Sequence, residues 1–121
     1  LSSAASDVYK RQQQTPENET DEQREQRALK LKAEGNKKYS AKNYREALDL
    51  YSQAIDAFPQ AAFYGNRAAA LIQSYKFKEA LQDCLSAIEL DPNFRKAYIR
   101  GTKCYTQLGQ FDNALKFAQS M

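Results

Sequence analysis

The sequence repeats one pattern of apolar residues three times, at intervals of 33 and 34 residues. Counted from the aromatic residues Tyr44, Phe77 and Phe111, apolar side chains recur at offsets 3, 4, 7 and 10. These offsets return to one face of an α-helix, because the helix turns once every ~3.6 residues. A unit this short cannot bury its apolar face alone, so the copies are expected to stack on one another.

A further helix is predicted in front of each of these amphipathic helices. The predicted ranges are Arg27–Ala41, Ala61–Ser74 and Phe94–Leu108. Pro59 and Pro92 fall where the second helix of a unit should end, because the residue before a proline avoids the helical conformation. The chain is therefore predicted to be all-α and built from antiparallel helix-turn-helix units.

These units resemble the tetratricopeptide repeat (TPR), whose pattern includes a Tyr in the first helix, an Ala-x3-Phe step in the second and a Pro after it. Tyr51 stands at the Phe position of repeat one, and Cys84 stands at that position of repeat two. The other matching residues are Gly35, Ala47 and Pro59 in repeat one, Tyr64, Ala68, Ala80 and Pro92 in repeat two, and Tyr98 and Ala114 in repeat three. The resemblance implies an array over residues 27–121, stacked in a right-handed superhelix, with the last of its three repeats truncated.

Residues 1–26 are predicted to form a leader that is disordered until a helix begins near Glu22–Arg27. Residues 12–23 contain no large aliphatic or aromatic side chain, so they bury too little apolar area to offset the entropy lost on ordering. The segment Ser2–Gln12 reads SSAASDVYKRQ, which resembles a translated sequencing-adapter sequence, and we give it no functional weight. The leader is acidic, so the repeats are more basic than the net charge of +3 indicates, and they favour anionic partners.

The composition excludes most catalytic chemistry. The sequence has no histidine, which removes the Ser-His-Asp and Cys-His arrangements and the His-containing zinc sites. The two cysteines, Cys84 and Cys104, are too few for a thiolate metal cage and are expected to be free, as in a reducing compartment. No apolar run reaches the ~18 residues of a membrane span. We therefore predict a cytoplasmic protein that is not an enzyme and needs no metal or cofactor.

Five polar residues on the first helices are not explained by core packing. They are Lys32 and Asn36 in repeat one, Asn66 in repeat two, and Lys96 and Arg100 in repeat three. Residues spaced i, i+4 share a helix face, and the first helices of stacked pairs line one concave side. We therefore expect these five side chains, called the clamp residues, to meet in one groove. Their cations and amides suit a carboxylate, because Arg donates to two oxygens, Lys adds a point charge and Asn both donates and accepts.

In their sequence context, the clamp residues resemble the two-carboxylate clamp of TPR co-chaperones. The matching segments are LKAEGN around Lys32 and Asn36, YGNR around Asn66, and KAYIR from Lys96 to Arg100. The resemblance implies that the groove binds the C-terminal Glu-Glu-Val-Asp of Hsp70, Hsp90 or both. It also implies that Tyr39 and Ala69 border the pocket for the valine of that peptide. Repeats two and three look closest to co-chaperones with a J domain, which would lie beyond Met121.

Two other functions stay open at this point. A TPR scaffold could bind an internal segment of another protein in the same groove, and its binding would then be insensitive to the loss of Lys96 or Arg100. A nucleic-acid binder would suit the basic charge, but base recognition by helical repeats uses side chains at one position of every repeat. The clamp residues differ from repeat to repeat, so we expect neither nucleic acid nor membrane among the partners.

Packing is expected to be complete in the middle of the array and incomplete at its end. The aromatic residue at the start of each second helix is expected to lie in the core. The sequence after Phe111 contains no proline and no further helix. We therefore expect the apolar face of Leu115, Ala118 and Met121 to be partly bare, and the last helix to fray.

Overall fold

The computed structural model describes residues 17–121, which form α-helices joined by short loops. The helices of this described part are α1 Asp21–Ser40, α2 Tyr44–Ala57, α3 Ala61–Gln73, α4 Phe77–Leu90, α5 Arg95–Gln107 and α6 Phe111–Gln119. Residues 17–121 contain no strand, so the predicted all-α class is confirmed, and the second helix of each pair begins at the predicted aromatic residue. Residues 1–16 lie outside the described residues, as do the disorder predicted for them and the adapter-like segment.

Helix α1 begins one residue before the range Glu22–Arg27 in which its start is predicted. Its first residue is Asp21, and the preceding Thr20 caps it. The backbone N–H of Gln23 donates to Thr20 Oγ1 at 3.1 Å, and the backbone N–H of Thr20 donates to Gln23 Oε1 at 3.0 Å. This reciprocal pair satisfies N–H groups that a helix start otherwise leaves unpaired. Upstream of the cap, Glu19 accepts two hydrogen bonds from the Arg27 guanidinium, each 3.0 Å long. The folded array therefore includes residues that were predicted to belong to the leader.

The two helices of each pair are joined by a tight turn that contains one residue in the left-handed conformation. These residues are Lys42 (φ 64°), Tyr75 (φ 60°) and Gly109 (φ 76°). In each turn, the next residue donates its backbone N–H to a carbonyl near the helix end, as Gln110 does to Tyr105 at 2.8 Å. This bond is typical of a Schellman helix end. Only the third turn uses glycine, so Lys42 and Tyr75 hold a conformation that is costly for a residue with a side chain.

Small residues let the helices approach one another, and aromatic rings fill the space beside them. The fully buried alanines include Ala47, Ala54, Ala68, Ala80, Ala87 and Ala97. Gly35 lies against the ring of Tyr51, where an added Cβ would come within 2.6 Å of Cε1. Consecutive helices pack together, and the first helices of neighbouring pairs also touch, α1 against α3 and α3 against α5. The first helices therefore form one continuous surface.

The end of the array departs from the expectation that each second helix begins with a core aromatic residue. Phe111 is 66% exposed, whereas Tyr44 and Phe77 are half-buried. The reason is that α6 packs only against α5 within the described residues. Leu115 and Met121 are also exposed and Ala118 is half-buried, so the prediction of a partly bare apolar face is confirmed.

The two cysteines are free thiols in the core, as predicted. Cys84 lies on α4 and Cys104 on α5, and both are completely buried. A hydrogen bond with Cys104, together with burial, raises the pKa of the Cys84 thiol, which therefore stays protonated and unreactive. Between residues 17 and 121, no helix combines the length and the apolar character needed to cross a bilayer.

Candidate functional site

The clamp residues lie on the three first helices, which the fold sets side by side. Lys32 and Asn36 belong to α1, Asn66 to α3, and Lys96 and Arg100 to α5. Helix α3 touches both of the other first helices, so it forms the middle of the surface. A hydrogen bond crosses each of the two boundaries between these helices, and each bond involves a clamp residue.

Asn36 and Asn66 meet across the boundary between α1 and α3. The amide nitrogen of Asn66 donates to Asn36 Oδ1 at 3.4 Å, and the hydroxyl of Tyr51, on α2, donates to the same oxygen at 2.7 Å. These two bonds direct the Asn36 oxygen toward the protein. The Asn36 nitrogen has no hydrogen-bond partner within residues 17–121 and keeps two N–H donors for a ligand. Because Asn36 is exposed, a ligand can reach these donors.

Arg100 is held at the boundary between α3 and α5. Its Nη1 donates to the backbone carbonyl of Gly65 at 3.1 Å. Glycine suits this position, because an added Cβ would lie 2.7 Å from the Phe94 ring and 3.4 Å from Arg100 Nη1. The carbonyl is neutral, so the guanidinium keeps its uncompensated charge and its remaining N–H donors for an anion.

The charge of Arg100 also reaches Tyr51, which connects the two boundaries electrostatically. Burial raises the pKa of Tyr51 to about 12, with Tyr39 as a second cause, while the positive charge of Arg100 acts in the opposite direction. The Tyr51 hydroxyl is therefore protonated at neutral pH and available to donate to Asn36. Asn36, Asn66 and Arg100 thus lie at the two boundaries that α3 forms with the neighbouring first helices.

Lys32 and Lys96 stand one helical turn before Asn36 and Arg100, on the same helix faces. Lys32 is half-buried and Lys96 is exposed. Within the part of the chain that the structure describes, neither ammonium group forms a hydrogen bond or an ion pair. Both lysines are therefore free to contribute charge to the groove, although no contact in the structure joins them to the other three clamp residues.

The two residues expected to border a valine pocket lie near the Asn36 end of the groove. The ring of Tyr39 packs edge-on against Tyr44, with 5.4 Å between the ring centroids, and also contacts the cluster of Ala47, Tyr51 and Ala70. Ala69 is half-buried on α3, next to Ala70 and one turn after Asn66. The valine pocket that these two residues would border therefore stays a prediction.

Arg67, next to Asn66 in the sequence, does not add its charge to the groove. Its guanidinium donates to both carboxylate oxygens of Asp83, each at 2.7 Å, and to Ser52 Oγ at 3.1 Å. The ring of Tyr64 lies 5.6 Å from its central carbon. These contacts raise the pKa of Arg67, chiefly through the hydrogen bond to Asp83. The pair therefore links α2, α3 and α4 and leaves no charge on Arg67 for a ligand.

Tyr51 is the residue of this site that sequence reasoning missed. The helix pattern assigned it to the core, and it is indeed 2% exposed. Its hydroxyl, however, contacts a clamp residue. The available indication was the presence of Tyr at a position where the repeat pattern has Phe, because a buried tyrosine hydroxyl usually has a hydrogen-bond partner.

Known proteins resemble the chain over most of its length. No protein-family model matches the sequence. The mouse DnaJ homolog subfamily C member 7 is 41% identical over 95 residues, which are 78% of this chain and 19% of that protein. The STIP1 homolog of Dictyostelium discoideum is 38% identical over 96 residues, 78% of this chain and 17% of that protein. The chain thus spans less than a fifth of the length of these curated relatives.

The solved structures that resemble the chain include TPR domains bound to an HSP90 peptide or in a complex with pHsp70. The second TPR of Spaghetti (RPAP3), bound to the HSP90 peptide SRMEEVD, superposes with a TM-score of 0.78 and 32% identity, covering 81% of this chain and 92% of that one. The TPR2B domain of yeast Sti1, in a complex with pHsp70, gives a TM-score of 0.77 with 34% identity over 78% of this chain and 77% of that one. The chain is 32% identical to the second TPR of Spaghetti and covers 92% of that solved domain. The chain therefore belongs to the tetratricopeptide-repeat family.

Proposed function

We propose that this chain is a non-catalytic adaptor that binds the C-terminal Glu-Glu-Val-Asp peptide of Hsp70, Hsp90 or both in the groove of the clamp residues. The observation that carries the proposal is the pair of hydrogen bonds from Asn66 to Asn36 and from Arg100 to Gly65, since they hold donors from three helices on one surface. The similar solved domains bound to an HSP90 peptide or in a complex with pHsp70 give further support.

A C-terminal aspartate carries two carboxylates, one on the backbone and one on the side chain. The groove offers two groups of donors for them. Lys32, Asn36 and Asn66 surround the boundary between α1 and α3, and Lys96 and Arg100 lie together on α5. Each carboxylate would thus meet a cation and at least one directional N–H donor. Tyr39 and Ala69 would border the valine of the peptide, and they complete the proposed site.

Calorimetric titration of the chain with the peptide SRMEEVD tests this proposal. The free-acid peptide should bind, and the same peptide with an amidated C-terminus should bind much more weakly. Arg100→Ala should raise Kd about tenfold or more, since a charge-assisted hydrogen bond contributes about 1.5–3 kcal/mol. Arg45→Ala is the matched control, because Arg45 is an exposed arginine on α2, a second helix. It should change Kd by less than about twofold, as expected for a screened charge outside the groove.

Equal affinity for the acid and the amide would refute the clamp mechanism. Binding that survives both Lys96→Ala and Arg100→Ala would instead favour a general TPR scaffold that uses the groove for another segment. Titration with SGPTIEEVD in parallel would compare an HSP70 peptide with the HSP90 peptide, since a similar solved domain is in complex with that sequence.

The proposal also includes a cytoplasmic location and a larger protein around this domain. The free thiols of Cys84 and Cys104 support a reducing compartment. The similarity to DnaJ homologues supports a J domain beyond Met121. Fractionation of cells that express the full-length protein, probed with an antibody to this domain, would test the location.

A further inference from the structure

We propose that Tyr51 is a positioning residue for peptide binding, because its buried hydroxyl fixes the orientation of the Asn36 amide. The proposal rests on the peptide-binding function proposed for the groove. It assigns a role to a residue that the sequence pattern explains as core packing alone.

The geometry around Asn36 supports this role. An amide side chain can turn over and exchange its oxygen and its nitrogen, and a free surface asparagine samples both orientations. In this structure, Tyr51 donates to Asn36 Oδ1 at 2.7 Å, and Asn66 donates to the same oxygen at 3.4 Å. The Asn66 nitrogen can only donate, so it selects the Asn36 oxygen over the nitrogen, and the much shorter Tyr51 bond holds that oxygen in place. With the oxygen bound, the nitrogen and its two donors face a carboxylate in the groove.

Tyr51 is itself held rigidly, as a positioning residue requires. Its side chain is 2% exposed and its ring lies directly against Gly35, one residue before Asn36. Because burial raises the pKa of Tyr51 to about 12, the hydroxyl remains a donor throughout the physiological range. The donor therefore keeps both its place and its proton.

Packing does not account for the hydroxyl. The repeat pattern has Phe at this position, and the equivalent residues of the other repeats are Cys84 and Ala118. A phenylalanine would keep the ring against Gly35 and lose only the donor. Tyr51→Phe is therefore a variant that should fold and still disturb the orientation of Asn36.

The test is a calorimetric titration of wild type and Tyr51→Phe with the peptide SRMEEVD. We expect Kd to rise about threefold to tenfold in the variant, the change that corresponds to one hydrogen bond of about 0.7–1.4 kcal/mol. Tyr98→Phe is the matched control, because it removes a hydroxyl that donates to the carbonyl of Pro92 at 2.9 Å, away from Asn36. The control should leave Kd unchanged within error.

A double-mutant cycle with Asn36→Ala separates positioning from a general structural effect. If Tyr51 acts through Asn36, then Tyr51→Phe should have no further effect on Kd in the Asn36→Ala background. A second readout needs no peptide: the NMR chemical shifts of the two Asn36 side-chain N–H protons should change in Tyr51→Phe, because the oxygen of the same amide group loses its hydrogen bond to the Tyr51 hydroxyl.

The outcomes distinguish this inference from the function on which it rests. Failure of the wild-type chain to bind SRMEEVD would overturn the proposed function, and the positioning role with it. Normal binding by wild type and an unchanged Kd in Tyr51→Phe would overturn the positioning role alone. A loss of affinity that persists undiminished in the Asn36→Ala background would also overturn it, because Tyr51 would then act through packing.

Discussion

The ion pair between Arg67 and Asp83 should stabilise the array far more than the exposed ion pair between Lys38 and Glu46. Asp83 is buried, with a side chain only 6% exposed, and it accepts two hydrogen bonds of 2.7 Å from Arg67, whose side chain is 26% exposed. In Asp83→Asn, an amide group replaces one carboxylate oxygen and points its N–H at an arginine N–H. The substitution therefore removes a charge and opposes two donors at almost constant volume.

The size of the stability loss expected for Asp83→Asn follows from the burial of Asp83 and Arg67. Breaking a fully buried ion pair costs about 3–5 kcal/mol. Arg67 is partly exposed and can recover some hydration, so we expect Asp83→Asn to lower the free energy of unfolding by about 2–3 kcal/mol. For a domain of this size, such a loss should lower Tm by roughly 10–20 °C. Urea denaturation followed by circular dichroism measures the loss directly.

An exposed ion pair in the same chain provides the control. Lys38 and Glu46 are 2.8 Å apart, but their side chains are 44% and 59% exposed. Glu46→Gln should therefore lower the free energy of unfolding much less than Asp83→Asn does, although the N–O distances of the two ion pairs are nearly equal. Equal losses in Asp83→Asn and Glu46→Gln would refute the argument from burial. Additive effects of Arg67→Met and Asp83→Asn would also refute it, because contacting partners should couple by about 1 kcal/mol or more.

Three further predictions concern other parts of the chain. Arg27 lowers the pKa of Glu19 below its ordinary 4.5, so Glu19→Gln should destabilise the domain at neutral pH. The difference in the free energy of unfolding between wild type and Glu19→Gln should become smaller as the pH falls below 4.5, because Glu19 of the wild type then takes up a proton. Urea titrations at several pH values would detect this change. Tyr75→Gly should raise the free energy of unfolding by about 1 kcal/mol, because Tyr75 has φ 60° and is 82% exposed; the same change at Gln73, the last residue of α3, should lower it. Hydrogen exchange should be faster in α6 than in α2, and equal protection would contradict the partly bare face.

The helices could be predicted from the sequence because their cause is local and periodic. Each second helix begins at the expected aromatic residue, since a repeated apolar stripe is a strong indication of a helix. The start of α1 could not be predicted from that stripe. It depends on the reciprocal cap of Thr20 and Gln23 and on the Glu19–Arg27 contact. The Thr-x-x-Gln spacing is visible in the sequence, but the apolar periodicity that defined the repeats begins after it.

The sequence could predict which helices carry the candidate site, but not the contacts that its residues make. The i, i+4 pairs and the repeat period predicted which helices would lie side by side, and Asn36, Asn66 and Arg100 are indeed joined through α3. No spacing rule could predict that a hydroxyl from α2 would reach Asn36, since that contact joins residues on different helices. For the same reason, the exposure of Phe111 could not be read from a pattern that treats every repeat alike.

The contrast between Arg67 and Arg100 explains how a basic array can direct an anion to one place. Both arginines lie on first helices and both are half-buried. The charge of Arg67 is balanced by the Asp83 carboxylate in an ion pair. Arg100 donates a hydrogen bond to a neutral backbone carbonyl, so its positive charge is not balanced. A carboxylate approaching the groove therefore meets an attractive charge at α5 and an internally balanced pair at α3. Because α3 contributes the neutral donor Asn66 instead, directional hydrogen bonds occupy the middle of the groove and full charges occupy its sides. Such an arrangement suits the ligand proposed for the groove, because a C-terminal aspartate carries two separate carboxylates rather than one diffuse charge.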